Sequence, residues 1–231
     1  MVENNWYCDP QWWAIITALL LGLVGIFQDW LRSLFLKPKF TIQVGLEPPL
    51  SNKTFFIRES EIQVRIGPYR FDVETHKMKE RVDCYYFRFL IKNMGNTQAK
   101  DAEVMVSQIE KKINNDFEIV KDFQAMNLKW SHSGGRVTIP KIQKGFYKYC
   151  DLGYIKRVNR NDYGSDIAFF LELEVMPNTG SGVLVPGEYK ITAAFTAENM
   201  KPVYKRYLLS FPNEWDDNQE IFFKKITLME I

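Results

Sequence analysis

"VDCYYFRFLIKNMGNTQAKDAEVMVSQIEKK" (82–112) decides how most of this chain is read. Its first twelve residues are dense in aromatic and branched apolar side chains, which suit a pleated, half-buried strand. Asn93, Met94, Gly95 and Asn96 then supply turn chemistry. Beyond the turn Val104, Val106 and Ile109 stand among polar neighbours, as in a strand with one buried face. Asn93 and Gly95 suit a tight turn that needs a positive φ.

The same signature recurs outward in both directions. "FTIQVGL" (40–46) and "EIQVRIG" (61–67) alternate, with Pro48-Pro49 between them. Further on come "RVTIP" (136–140), "DIAFFLELEV" (166–175), "GEYKITAAFTAE" (187–198), "VYKRYLLSF" (203–211) and "IFFKKITLME" (221–230). Gly134-Gly135, Pro177-Asn178-Thr179-Gly180 and Pro186-Gly187 punctuate them. Many short strands with turn signals between them predict a mainly β fold, an elaborated antiparallel sandwich. Trp130 and Tyr189 are expected in its core. The stretch 114–130 is ambiguous. Phe117, Val120 and Phe123 keep a helical spacing of three, whereas Asn127, Trp130 and the following "SHSGG" argue for a loop. It is expected to be irregular with one short helical turn. With no repeat or low-complexity linker, 39–231 reads as one β-domain behind an N-terminal segment, 1–38.

That segment contains "WWAIITALLLGLVGIF" (12–27), in which no residue is charged. A spanning helix needs about 20 residues. Trp12 to Leu31 gives that length and sets Trp12, Trp13 and Trp30 at the interfaces, where tryptophan anchors. No Lys or Arg precedes the run and no small-x-small site follows it, unlike a cleaved signal peptide. The buried helix of a soluble domain is the other reading, but the run is apolar on every face. From Trp30 to Phe35 the pattern becomes amphipathic, as in a helix lying at the interface. Pro38 is expected to end it. Arg32, Lys37 and Lys39 follow the run, and only Glu3 and Asp9 carry charge before it. The positive-inside rule then predicts a single pass through the inner (cytoplasmic) membrane, with the N-terminus outside and the domain in the cytoplasm.

The cysteines, Cys8, Cys84 and Cys150, are odd in number and form no C-x-x-C pair. Cys84 and Cys150 read as buried thiols in strands, or alternatively as one bridge; a disulfide-stapled secreted domain is not indicated. A formal net charge of +2 excludes a strongly basic nucleic-acid binder on global charge.

No G-x-S-x-G, Walker loop, G-x-G-x-x-G or H-E-x-x-H occurs, so no catalytic residue and no cofactor is assigned. His76 and His132 lack partners at metal-ligand spacing. "NEWDDNQE" (213–220) reads as a solvated acidic loop. One stretch stands apart. "KIQKGFYKYCDLGYIKRVNR" (141–160) sets Lys141, Lys144, Lys148, Lys156, Arg157 and Arg160 against Asp151 alone, interleaved with Phe146, Tyr147, Tyr149 and Tyr154. Cations among aromatic faces suit a phosphate-bearing ligand, whether lipid headgroup, nucleotide or single-stranded nucleic acid. The tether favours lipid. The plainer reading is an alternating strand with Lys outward and Tyr inward.

Three pieces together carry a resemblance: "FRFLIKNMGNTQAKDAEVMVSQI" (87–109), "MNLKWSHSGGRVTIPKIQKGFYKYCDLGYI" (126–155) and "VPGEYKITAAFTAENMKPVYKRYLLSF" (185–211). The set resembles uncharacterised bacterial and archaeal membrane-anchored proteins with an immunoglobulin-like β-sandwich. That resemblance implies a fold and an N-terminal membrane helix. It implies no activity and no functional residues.

Two functions are therefore expected. The first is a non-enzymatic membrane-anchored module that binds a protein partner or anionic headgroups. The alternative is a membrane effector of a defence or stress system, whose sandwich senses a signal and whose helix oligomerises. Gly22 and Gly25 fall one spacing short of G-x-x-x-G.

Overall fold

The computed structural model describes residues 10–65 and 73–231, with side chains described outside 29–35, 59–65, 73–76 and 78. Cys8, the last two residues of the stretch 61–67, and the side chains of Trp30 and His76 lie outside the described residues.

Helix α1 (Pro10–Phe35) has 26 residues, about 39 Å at the α-helical rise. Its window Pro10–Gln28 is long and apolar enough to cross a membrane, and none of it is buried against protein. Trp12 and Trp13 are exposed near its start. The helix stops at Phe35, ahead of Pro38, because a residue before proline is pushed out of helical geometry.

Strands follow: β1 (Phe40–Gln43), β2 (Ser51–Arg65), β3 (Val73–Asn93), β4 (Ala99–Ile113), β5 (Asp116–Ile119), β6 (Met126–Asn127), β7 (Thr138–Ile142) and β8 (Tyr147–Arg157). Then come α2 (Arg160–Tyr163), β9 (Ile167–Leu171), β10 (Val183–Leu184), β11 (Gly187–Ala197), β12 (Met200–Phe211), α3 (Gln219–Lys224) and β13 (Thr227–Glu230). They form two antiparallel sheets. One runs β1–β3–β8–β9–β10, with β2 continuing along β3. The other runs β13–β12–β11–β4, and the far edge of β4 is lined by β5, β6 and β7.

The two sheets share one core. Tyr85, Phe87, Phe89 and Ile91 alternate along β3 and are all fully buried. The Phe89 ring meets Phe195 at 5.3 Å and Tyr207 at 4.8 Å across the core. Burying a large apolar side chain contributes roughly 1.5–3 kcal/mol, so this stripe is a principal source of stability. Trp130 and Tyr189 are each 2% exposed, as expected of core aromatics. Each also satisfies its polar atom: Trp130 Nε1 donates to the Val137 carbonyl at 2.9 Å, and Tyr189 Oη to that of Val185 at 2.8 Å.

Three expectations need correction. The stretch 114–130 forms no helix; β5 and β6 are extended, a single hydrogen-bonded turn joins Val120 to Phe123, and Leu128 and Trp130 add isolated bridges to Leu173 and Cys150. Pairing with β4 and burial of Leu128 and Trp130 override the spacing of three. The stretch 221–230 is not one strand. Asn218 caps α3 by accepting from the Glu220 and Ile221 N–H groups, and Phe222 and Phe223 are buried there before β13 begins. Finally, β2 and β3 form a longer hairpin than the alternation at 61–67 and 82–93 indicated. β8 meets β3 only from Cys84 to Lys92, so the hairpin beyond Asp83 has no third strand among the described residues.

Candidate functional site

The basic stretch 141–160 does not form one surface. β8 carries it along the length of the first sheet. Lys148 and Lys156 stand eight residues apart in that strand, about 25 Å at the strand rise. Lys141, Lys144 and Lys148 lie at the end nearest α1. Lys156, Arg157 and Arg160 lie at the far end.

At the near end the chain leaving α1 is clasped by the turn after β3. Asn93 is buried and every polar atom of its amide is used. Its Nδ2 donates to the carbonyls of Thr97 at 2.8 Å and Ile142 at 3.0 Å. Its Oδ1 accepts from the backbone N–H groups of Lys39 at 3.3 Å and Gly95 at 3.0 Å. Lys37 N–H donates to Asn96 Oδ1, Asn96 N–H to the Lys37 carbonyl, and Met94 N–H to the Lys39 carbonyl. Neither Asn93 nor Gly95 is at a positive φ, which corrects the turn reading. The requirement at Gly95 is space, since a Cβ there would lie 2.3 Å from the Lys37 carbonyl oxygen and 2.5 Å from Lys39 N.

The β7–β8 turn joins this clasp. Asn93 N–H donates to the Phe146 carbonyl and Gly145 N–H to that of Asn93. Phe146 N–H closes the turn onto Gln143, with Gly145 at φ 79°, the conformation that a type II turn requires of its third residue. Lys144 consequently shares a recess with Lys37, Lys39 and Met94. Lys141 stands opposite Lys100 in the β4–β7 pairing. A neighbouring groove of about 810 Å³ is lined by Leu36, Lys37, Lys39, Lys100, Glu198 and Lys201, among others.

At the far end Lys156 and Arg157 are engaged. Lys156 lies over Phe170 at 4.5 Å and Phe56 at 5.3 Å, within cation–π range. Burial, then the charge of Arg58, lowers its pKa. Tyr154 stacks on Phe170 at 5.4 Å and Tyr86 at 5.7 Å. So Tyr154 and Lys156 share one face, and the simple division of Lys outward and Tyr inward fails there. Residues two apart share a strand face, and the register shift between Phe87 and Arg88, where Leu152 becomes the extra residue of β8, sets that face on the same side as Tyr149 and Asp151. Arg157 pairs with Asp217 at 3.1 Å and lies over Trp215 at 5.0 Å. Arg160 is exposed on α2.

The acidic stretch 213–220 is more than a solvated loop. Asp217 accepts from Lys53, Arg157 and the Trp215 indole. The Trp215 and Lys53 hydrogen bonds hold its carboxyl down at about 2. Tyr85 stacks on Phe222 at 4.1 Å, donates to the Asp216 carbonyl at 2.6 Å, and so closes the core beneath.

Between the ends, Asp151 accepts from Ser131. Arg88 Nε lies 3.2 Å from the same carboxylate as an ion pair, without the alignment of a hydrogen bond. Burial raises the Asp151 pKa, against the pull of Ser131 and Arg88. Cys84 and Cys150 are free and buried. Cys150 pairs with core residue Phe89, whereas Cys84 shares the face of Tyr86, so the bridge reading fails. Burial pushes the Cys84 thiol up to about 11 and the Cys150 thiol well above its usual range. His132 is an exposed turn residue. Among the described residues no group of three metal-ligating side chains occurs. Neither a protein-family model nor a curated protein matches the chain.

Proposed function

We propose that this protein is a membrane-anchored interaction module that acts by binding, not by catalysis. In this reading α1 spans the inner membrane with the N-terminus outside. The two sheets form an immunoglobulin-like sandwich on the cytoplasmic side. The carrying observation is the contrast at residue 36. Before it lies an apolar helix with none of its window against protein; after it the backbone is clasped by Asn93, Gly95 and Asn96. An apolar helix of that length is stable when lipid covers it.

A protein partner is proposed for the β2–β3 hairpin. Phe55 and Ile57 are 47% and 53% exposed there, and Arg81 lies 4.1 Å over the Phe55 ring. Exposed aromatic and arginine side chains are what hot spots use. Protease added to sealed right-side-out vesicles should leave the domain intact, and its digestion would sink the topology. Phe55→Ser with Ile57→Ser should lose a partner that copurifies with the parent from solubilised membranes.

The effector alternative draws on Ala18 and Gly22, which line one shallow apolar face of α1. Small residues four apart let helices approach closely. Toxicity on expression that disappears with Gly22→Leu would favour it over the module.

A further inference from the structure

We propose that the end of the two sheets nearest α1 is a lipid-binding face for the acidic headgroups of the leaflet that holds the anchor. The inference rests on the membrane-anchored reading and assigns residues to one part of it. Six lysines converge there from four separate segments: Lys37 and Lys39 on the strap, Lys100 on β4, Lys141 and Lys144 around the β7–β8 turn, and Lys201 on β12. Glu198 and Asp101 are the carboxylates beside them. Among the described residues none of these six ammonium groups has an ion-pair partner. At the far end Lys156 is held over aromatic rings and Arg157 on Asp217, which leaves Arg160 as the one cation of the basic stretch exposed there without an ion pair among the described residues.

Reach supports the same occupant. Only 36–39 separate α1 from β1, at most about 17 Å of extended chain. Backbone hydrogen bonds tie the strap to the 93–96 turn, and that turn to Gly145 and Phe146. The lysines therefore cannot be carried far from the helix end. A surface charge acts over about a Debye length, roughly 8–10 Å. Phe146 is 67% exposed, Met94 54% and Leu36 47%, all at this end. Apolar side chains ringed by lysine suit the headgroup boundary, where the ammonium meets phosphate and the ring enters beneath it.

The test uses the full chain with Cys8→Ser and a fluorophore on Gln143→Cys, or on Asn161→Cys at the far end; both positions are exposed. It is reconstituted in phosphatidylcholine vesicles with or without about one-third phosphatidylserine, each carrying headgroup-nitroxide lipid. Quenching at Gln143 should rise several-fold with phosphatidylserine, and quenching at Asn161 should not. Replacing the six lysines with Gln, or adding about 0.5 M salt, should return Gln143 to its value in neutral vesicles. An unchanged melting curve shows that the variant is folded. Equal quenching at Gln143 in both vesicle types, or an acidic-lipid effect that survives the lysine changes, overturns the lipid-binding face while the anchor stands. Failure to float with either vesicle type overturns the anchor and the face with it.

Discussion

The side-chain oxygen of Asn93 accepts the backbone N–H of Lys39, 54 positions earlier in the chain, at 3.3 Å. One buried amide therefore joins the exit of α1, the β3–β4 turn and the end of β7. Asn93→Ala leaves those groups without partners. Unsatisfied buried groups cost about 1–3 kcal/mol each, so a loss of roughly 2–4 kcal/mol is expected in urea unfolding of the detergent-solubilised chain. Asn93→Asp keeps the acceptor but sets a buried carboxylate oxygen against the Thr97 and Ile142 carbonyls, so at neutral pH it should destabilise at least as much as Ala. A parent-like Ala variant would show that the clasp contributes nothing.

Gly95→Ala tests the same junction by volume. The new methyl would meet backbone atoms of Lys37, Pro38 and Lys39 inside 3 Å. Backbone cannot rotate away as a side chain can, so the strap must shift. Overpacking of this kind costs about 1–3 kcal/mol. Hydrogen exchange should quicken at 37–40 and stay slow in β11 if the strain is local.

Trp130→Ala removes a fully packed indole and its bond to the Val137 carbonyl. Truncating a buried aromatic costs roughly 3–5 kcal/mol. The melting temperature should fall accordingly; an unchanged melt would contradict the packing described.

Asp217 carries a pH dependence with a definite sign. Its folded pKa is held at about 2 by Trp215 and Lys53, below the unfolded value near 4. Its contribution is full above about pH 4 and is lost as pH falls from about 4 towards 2. The stability gap between the parent and Asp217→Asn should close across that interval. A gap that stays constant down to pH 2 would count against the assignment.

Thiol chemistry offers a direct readout of burial. With burial raising the Cys84 thiol to about 11 and the Cys150 thiol well above its usual range, little thiolate exists at neutral pH. Iodoacetamide should leave both unmodified in the native chain and alkylate both in urea. Labelling of Cys84 in the native chain would mean that the outer face of the first sheet opens.

What the sequence made legible follows from burial on one face. The strands at 101–112, 187–198 and 203–211 alternate because one side meets the core, and they emerge as β4, β11 and β12 nearly as read. In the β2–β3 hairpin only 61–67 reads as alternating, which misses its full length; beyond Asp83 no third strand among the described residues pairs with β3. The segment "IFFKK" looked like a strand because three adjacent apolar residues fit either period. The Asn218 cap decided for a helix. At the candidate site, the run of cations was plain and its division was not. Where a strand carries its residues depends on register, and the bulge at Leu152 reverses which residues share a face. Asn93 and Gly95 were visible as turn formers, but a partner 54 positions away leaves no local trace.

In the proposed anchored reading, the short strap would limit where a partner could meet this molecule. A domain on a long flexible tether samples a broad volume, and its encounters are diluted accordingly. Here four residues separate α1 from β1 and the clasp removes their slack. On a bilayer such a chain would patrol a thin layer of fixed altitude, and the β2–β3 hairpin would mark the ceiling or flank of that layer. Its best-matched partners would be other residents of the same membrane, found by lateral diffusion in two dimensions.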